Sequence, residues 1–355
     1  MHKWLASRGD YSLRFGKPFL VLADLADLNE LRRPIQLTNQ QIGGTPVRSA
    51  TELCRVLSIY TGYSLIGFQL EPGPLHGFVN CALLSTGAIA MMWHCDKPVL
   101  ISGTRNPELT CFSAVISIKP TADETEAWFW KNKSLPGKLI GGFGLSETQC
   151  HFELSADRLH LALFVPKAKL MDVLDDPSNR AVYEYMSATN MAQFMDVNYN
   201  RFVNYVTAAN WIPHLLPEAC PVTALLDQMN DASFACGLPS RQLLPSTEQL
   251  LVCTPEIMEQ LSELNVAKLA KLTNLGRTQL NAACQEAYRR SPSEFLRLLK
   301  LEESMMLLRS PASRDLLGLK NIADVHAHIG ISSSSTFRKQ FFDLYQAKPS
   351  EWWVS

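Results

Sequence analysis

No uninterrupted apolar run in this 355-residue chain reaches the ~18 residues that a membrane-spanning helix needs. There is no C-x-x-C pair among its nine cysteines, at 54, 81, 95, 111, 150, 220, 236, 253 and 284. That odd, scattered set argues against a disulfide framework or a zinc module and for a reducing, cytoplasmic setting. Glycine-rich phosphate loops, G-x-S-x-G and H-E-x-x-H are also missing, so no enzyme activity and no cofactor are expected. Met1–Asp10 carries Lys3 and Arg8 but no apolar stretch, so no signal peptide is read there. Charged residues make up only 19% and the net charge is −1, which does not mark the whole chain as a nucleic-acid binder. Residues 251–355 hold 13 Lys+Arg against 11 Asp+Glu, a net of +2, leaving −3 for the remainder.

What is present is 46% hydrophobic residues, enough for two cores. The first half reads as short strands: Tyr63–Leu70, Phe78–Leu84, Ala88–His94, Pro98–Ser102, Leu109–Ile118 and Leu159–Val165. Glycine and proline at Pro72-Gly73-Pro74, Gly87, Gly103, Pro107, Pro120 and Pro136-Gly137 break them up, which predicts an antiparallel barrel or sandwich. Arg180–Phe194 and Asn198–Ala209 are read as helices, with Val182, Tyr185, Met186, Met191, Phe194, Phe202, Val203 and Val206 as core or, alternatively, a dimer face. A loop from Gly237 to Thr247 places the main boundary near residue 245.

Beyond it the chain becomes short helices joined by tight turns. Val266–Leu272, a turn at Thr273–Gly276 and Arg277–Tyr288 form one helix-turn-helix pattern. Ser291 and Pro292 start a long helix to about Arg309, with Glu294 completing a capping box. Ile322–Ile329, Gly330-Ile331 and Ser334–Leu344 form a second such pattern. The halves echo one another through Leu269, Gly276, Leu280, Cys284, Tyr288 and Pro292, then Val325, Gly330, Phe337, Phe341, Tyr345 and Pro349. Gly276 and Gly330 are read as the small residues that let the helices of each turn cross closely. The exposed sides of the second helices offer Arg277, Thr278, Asn281 and Gln285, and Ser334, Ser335, Arg338 and Lys339, residue types that suit base edges and phosphates.

A duplicated helix-turn-helix on one linker helix resembles the AraC/XylS family of transcription regulators, over about residues 250–355. The resemblance implies an α+β chain: a cupin-like antiparallel β-barrel sensor with flanking helices (1–175), a helical linker and dimerisation region (176–245), and an all-α double helix-turn-helix domain (246–355). Within the last, the units are 266–288 and 322–344, with the linker helix at 292–309. It implies base readers at Thr278, Asn281, Ala282, Ser334, Ser335 and Lys339. The partners it implies are double-stranded DNA, a small-molecule effector of unknown site, a second copy of the chain, and RNA polymerase if the protein activates. The chain departs from the family pattern at Ala282, where many relatives carry Arg, and at Cys284, where they carry Phe. Arg289 and Gln346 stand for Gly, Phe342 for a basic residue and His326 for Ala, and the Leu308–Ile322 connection is longer than usual. Specificity is therefore expected from the second unit. Metal binding is not expected, since the His-x-His spacing of metal-bearing cupins occurs only at His326-x-His328, on a helix. The reading from a different class is a protein-docking module without specific DNA contact.

Overall fold

Alternating apolar residues between glycine and proline breaks become strands, and the tail becomes helices. The structure, a computed structural model, describes residues 44–118, 127–134, 138–156, 158–211, 221–231 and 243–354. The N-terminal part runs β1 (Thr45–Val47), α1 (Ala50–Thr61), β2 (Ser64–Gln69), β3 (Gly77–Leu83), β4 (Ile89–Cys95), β5 (Val99–Thr104) and β6 (Leu109–Ser117). It continues with β7 (Ala127–Phe129), β8 (Asn132–Ser134), β9 (Leu139–Gly141), β10 (Gln149–Leu154), β11 (Arg158–Pro166), α2 (Lys167–Leu174), α3 (Arg180–Ala188), β12 (Met191–Gln193), α4 (Asp196–Trp211) and α5 (Pro221–Asn230). The C-terminal part is α6 (Pro245–Val252), α7 (Thr254–Glu259), α8 (Val266–Thr273), α9 (Arg277–Tyr288), α10 (Pro292–Arg309), α11 (Pro311–Leu317), α12 (Ile322–His328) and α13 (Ser334–Tyr345). The first 43 residues of the expected barrel and the Gly237–Ser240 stretch of the expected boundary loop lie outside the described residues.

The strands pair antiparallel in two sheets, β1-β3-β4-β11-β6-β9-β12 and β10-β5-β2, beside the small hairpin β7-β8. No ladder among the described residues closes the two sheets into a barrel. Each sheet uses its period-two alternation to serve two cores. Met91, Trp93, Ala162 and Phe164 of the large sheet meet Leu65, Val99, Ile101, Cys150 and Phe152 of the small one. The large sheet's other face, with Ala90, Met92, Phe112 and Leu161, is covered by α2–α5 through Leu170, Val182, Met186, Phe202 and Val206. The small sheet's other face, with Ile66, Phe68 and Leu100, is covered by the helical part through Leu250, Ile257, Tyr288 and Phe295. A sheet three strands wide thus separates the inter-sheet core from the helical half.

One expected helix is shorter. The segment Arg180–Phe194 is helical only to Ala188; Thr189 is extended, and Met191–Gln193 pair with Leu139–Gly141 as an edge strand. Asn190 turns the chain there by accepting the Gly144 N–H on its side chain at 2.8 Å. A hydrogen-bonded edge outweighs a weak helical periodicity at this point.

In the tail, α10 is the central element. Ser291 caps it by accepting the Glu294 N–H at 3.3 Å, and Pro292 occupies its first turn. The expected capping box is not completed: the Glu294 carboxylate turns to Arg290 and Arg297, at 3.3 and 3.7 Å. From Phe295 to Leu308 its residues are buried on nearly every side, as befits a helix surrounded by others. The longer connection after it holds α11, whose Arg314 donates to the carbonyls of Leu307 and Leu308 and lies 3.9 Å over the Trp353 ring. It thereby satisfies carbonyls that a helix end leaves open.

Candidate nucleic-acid interface

The two units are built alike. Helices α9 and α13 have 12 residues each and start 57 positions apart, at Arg277 and Ser334. Leu280, Cys284 and Tyr288 point into the core from α9, and Phe337, Phe341 and Tyr345 do so from α13. Tyr288 stacks on Phe295 of α10 at 4.3 Å between ring centres, and Tyr345 lies 4.6 Å from Phe341. Burying that side forces the opposite one outward. Arg277, Thr278, Asn281 and Gln285 are exposed on α9, Ser335, Arg338 and Lys339 on α13, and Ser334 is half-buried. The structure therefore groups the expected residues on one side of each second helix.

Helix starts shape both faces. Ser333 caps α13 by accepting the Thr336 N–H at 3.3 Å, and its hydroxyl is 2.9 Å from that of Ser335. On α9 the Gly276 N–H donates to the Gln279 side chain at 3.0 Å. Gly276 is not a close-approach residue, which corrects the expectation for the first turn: its φ is −64°, and a Cβ there would meet only Gln279 Oε1 at 3.3 Å. The left-handed position of that turn is Asn274, at φ 52°. Gly330 behaves as expected of a turn glycine, with φ 74° and no room for a Cβ beside the Ser262 carbonyl. His326 fills the second turn, its Nδ1–H donating to the Ile331 carbonyl at 2.8 Å.

The acids of the tail are largely consumed internally. Glu286 accepts from the Leu244 N–H and the Thr247 hydroxyl, at 2.8 and 2.7 Å, and so caps α6 from α9. Glu263 pairs with Lys268, and Glu303 faces Arg55. Among the described residues, Arg277, Arg338 and Lys339 form no ion pair. A net charge of +2 understates how bare the cations of these faces are.

Both units are gripped by the N-terminal half. Glu302 of α10 is fully buried and accepts the Ala50 N–H at 2.9 Å and the Gln69 N–H at 3.0 Å, with the Tyr345 hydroxyl beside it. Burial pushes its carboxyl up to about 7, while these donors pull the other way. The Gly73 N–H caps the end of α13 by donating to the Leu344 carbonyl at 2.8 Å. Arg309 pairs with Glu52 at 2.7 Å, and Lys131 with Glu248 of α6 at 2.9 Å.

A second site lies between the sheets. Its walls include Leu65, Trp93, Trp130, Phe152, His160 and Phe164, around a free space of about 20 Å³, room for about one water. Trp93 Nε1 and His160 Nε2 are buried there without a hydrogen-bond partner. Burial holds His160 neutral, with its pKa pulled down to about 3. Nearby, the guanidinium of Arg105 lies 5.2 Å over the Trp130 ring and donates to Tyr63 Oη at 3.3 Å.

No family model and no curated protein matches the chain. Among solved structures, ToxT from Vibrio cholerae O395 is similar over 82% of this chain and 96% of that one, at 10% identity and a TM-score of 0.28. ToxT from Vibrio cholerae strain SCE256, described as bound to an unsaturated fatty acid, covers 78% and 94%, at 10% and 0.26. The AraC-like transcriptional activator CuxR covers 78% and 99%, at 12% and 0.33. A β-rich half precedes two helix-turn-helix units on one linker helix, the architecture that the AraC/XylS resemblance implies.

Among the described residues no group of three or more His, Cys, Asp or Glu side chains is placed to hold a metal ion. His94 Nδ1 is tied to the Arg158 carbonyl, and His151 Nδ1 to the Ser102 hydroxyl. Val182, Met186, Phe202 and Val206, named for a core or a dimer face, are spent on the chain's own core. No helix among the described residues is long and apolar enough to cross a membrane. Sequence reasoning missed Glu302 and the inter-sheet site. The signal for the first was a lone acid at helical spacing with Phe295, Leu298 and Leu299.

Proposed function

We propose that this chain is a sequence-specific DNA-binding transcription regulator, an activator, whose β-rich half senses a small molecule. The observation that carries the reading is the pair of equivalent, outward-facing helices α9 and α13, whose polar faces include cations without ion pairs. Arg338 and Lys339 suit guanine edges or phosphates, Asn281 suits adenine, and Thr278 and Ser335 hydrogen-bond less selectively. Lys339 stands 57 positions after Ala282, so the second unit has a cation where the first has a methyl group. Pairing of two copies on repeated half-sites and contact with RNA polymerase belong to the same proposal.

The test is binding to promoter fragments across a salt series, by anisotropy. Affinity falls steeply as salt rises from about 50 to 200 mM, while a sequence preference persists. Replacing Lys339 by Ala lowers the salt slope by about 1, and replacing Arg338 weakens binding and relaxes preference at one base pair. Binding unaffected by both changes would remove α13 from the interface; no salt dependence at all would leave a docking module. Sedimentation with DNA and transcription in vitro read the dimer and the activation.

A further inference from the structure

The inter-sheet site already holds a ring. Strands β7 and β8 pair with Phe129 opposite Asn132, so Trp130 and Lys131 alone make the turn between them. Both lie in the left-handed region, at φ 50° and 66°. Two-residue turns of this hand ordinarily use Asn and Gly, and a bulky side chain there carries strain that the surroundings must hold. The surroundings are built for it. A Cβ on Gly141 or Gly142 would overlap the Trp130 ring, with 2.8 and 2.6 Å left to the nearest ring atoms. The Trp130 Nε1–H donates to the Ser113 hydroxyl, and Arg105 covers its face. The indole is thus seated by a slot, a hydrogen-bond acceptor and a cation, and held by a strained turn.

The next residue reaches the helical half. Lys131 Nζ bridges Glu147 of the β-rich half and Glu248 of α6, at 2.8 and 2.9 Å, and its N–H donates to the His151 carbonyl at 2.9 Å. Trp128, two residues before Trp130, belongs to the core shared with α6–α10. Trp130 and Lys131 are adjacent in one strained turn, so release of that turn moves both side chains.

We propose that Trp130 occupies the place of the effector, so that the site takes a flat aromatic molecule of indole size with one hydrogen-bond donor, whose entry expels Trp130 and breaks the Lys131–Glu248 tie. The inference rests on the ligand-sensing part of the proposed function and names the ligand's class. Release of the turn relieves its strain, and the ligand recovers the Ser113 hydrogen bond and the Arg105 cation–π contact. Trp93 Nε1, bare in the same cavity, offers a donor to an oxygen substituent on the incoming ring.

Indole is the probe, with N-methylindole as the control that lacks the donor. By calorimetry, the full-length Trp130→Gly variant binds indole at least tenfold more tightly than the wild type. In that variant N-methylindole binds at least tenfold more weakly than indole, and adding Ser113→Ala abolishes the difference. Saturating indole on the wild type, without DNA, raises hydrogen exchange of the α6 amides severalfold and leaves β4 and β11 unchanged. That last measurement stands even where the variant does not fold. Equal binding of indole and N-methylindole would mean an unspecific hole, and overturns the proposal. Unchanged α6 exchange in the saturated wild type, or no indole binding by a folded variant, overturns it too. Because no arm uses DNA, loss of the regulator reading would show separately, in the salt series.

Discussion

Arg289 and Glu153 join the first helix-turn-helix to β10 at 2.9 Å, from a backbone position that disfavours arginine. Arg289 follows α9 at φ 53°, and Gln346 follows α13 at φ 54°, so both are left-handed helix ends where the family pattern has Gly. The expected outcome of Gln346→Gly is a gain of about 0.5–1 kcal/mol in urea unfolding, since Gly carries no Cβ penalty there. Arg289→Gly gains the same and loses a half-exposed ion pair worth at most about 1 kcal/mol, so it comes out near neutral. Equal gains at both positions would show that the Arg289–Glu153 contact contributes nothing.

The two turn glycines separate just as cleanly. Gly330→Ala has to push a methyl group into the Ser262 carbonyl at a positive φ, and is expected to cost about 2–3 kcal/mol. Gly276→Ala meets only the movable Gln279 side chain and is expected to cost about 1 kcal/mol or less. Chemical denaturation of both variants checks the order, and reversal would mean that Gly276 is the packing residue after all.

How much of this could be read beforehand depends on how local each cause is. Strands such as β4 and β6 announced themselves by apolar runs between glycine and proline breaks, and α10 by its Ser291-Pro292 start, because those signals lie within a few residues. Helix α1 has local signals too, with Ser49 capping it and Gly62 ending it in the left-handed region, but its apolar residues sit among strand-like segments that mask them. Glu302 lay on a visible buried stripe, but its donors, Ala50 and Gln69, are more than 230 residues away. Trp130 was beyond reach for a different reason. Residue-type rules seek glycine or asparagine at a left-handed turn, and only the Gly141–Gly142 slot and Arg105 explain a tryptophan there.

Acid stability follows from three buried groups. Burial lowers His151 and His160 to about 3 from 6.5, with Arg289 and Arg158 adding to it. The unfolded chain takes up these protons first, so each histidine's contribution is complete above about pH 6.5. It is lost as pH falls, at about 1.4 kcal/mol per unit. Glu302, raised to about 7 from 4.5 by burial, acts oppositely: the folded state keeps its proton and gains stability as pH falls from 7 to 4.5. Glu52 and Asp96, also raised by burial, add to that gain, so two losses against these gains leave the wild type weakening by at most about 1.4 kcal/mol per unit between about pH 6.5 and 4.5. His160→Phe is expected to flatten that slope, and Glu302→Gln to double it. Urea unfolding at three pH values reads both, and a flat wild type would mean that the histidines are hydrated.

The asymmetry of the recognition faces gives a gain-of-function test. Ala282 is exposed on α9, one position beyond Asn281, as Lys339 is on α13 beside Arg338. If α9 and α13 both enter the groove as proposed, their equivalence puts a cation at 282 over the same part of its groove segment as Lys339. Leu280, Ala283 and Cys284 beside it stay buried, so Ala282→Arg touches no core packing. One new phosphate or guanine contact steepens the salt slope by about 1 and tightens binding roughly tenfold at low salt. The same substitution in a Lys339→Ala background restores the slope but not the original sequence preference, because the new contact reads a different half-site. An unchanged slope for Ala282→Arg would show that α9 stays off the DNA, leaving α13 as the reading helix.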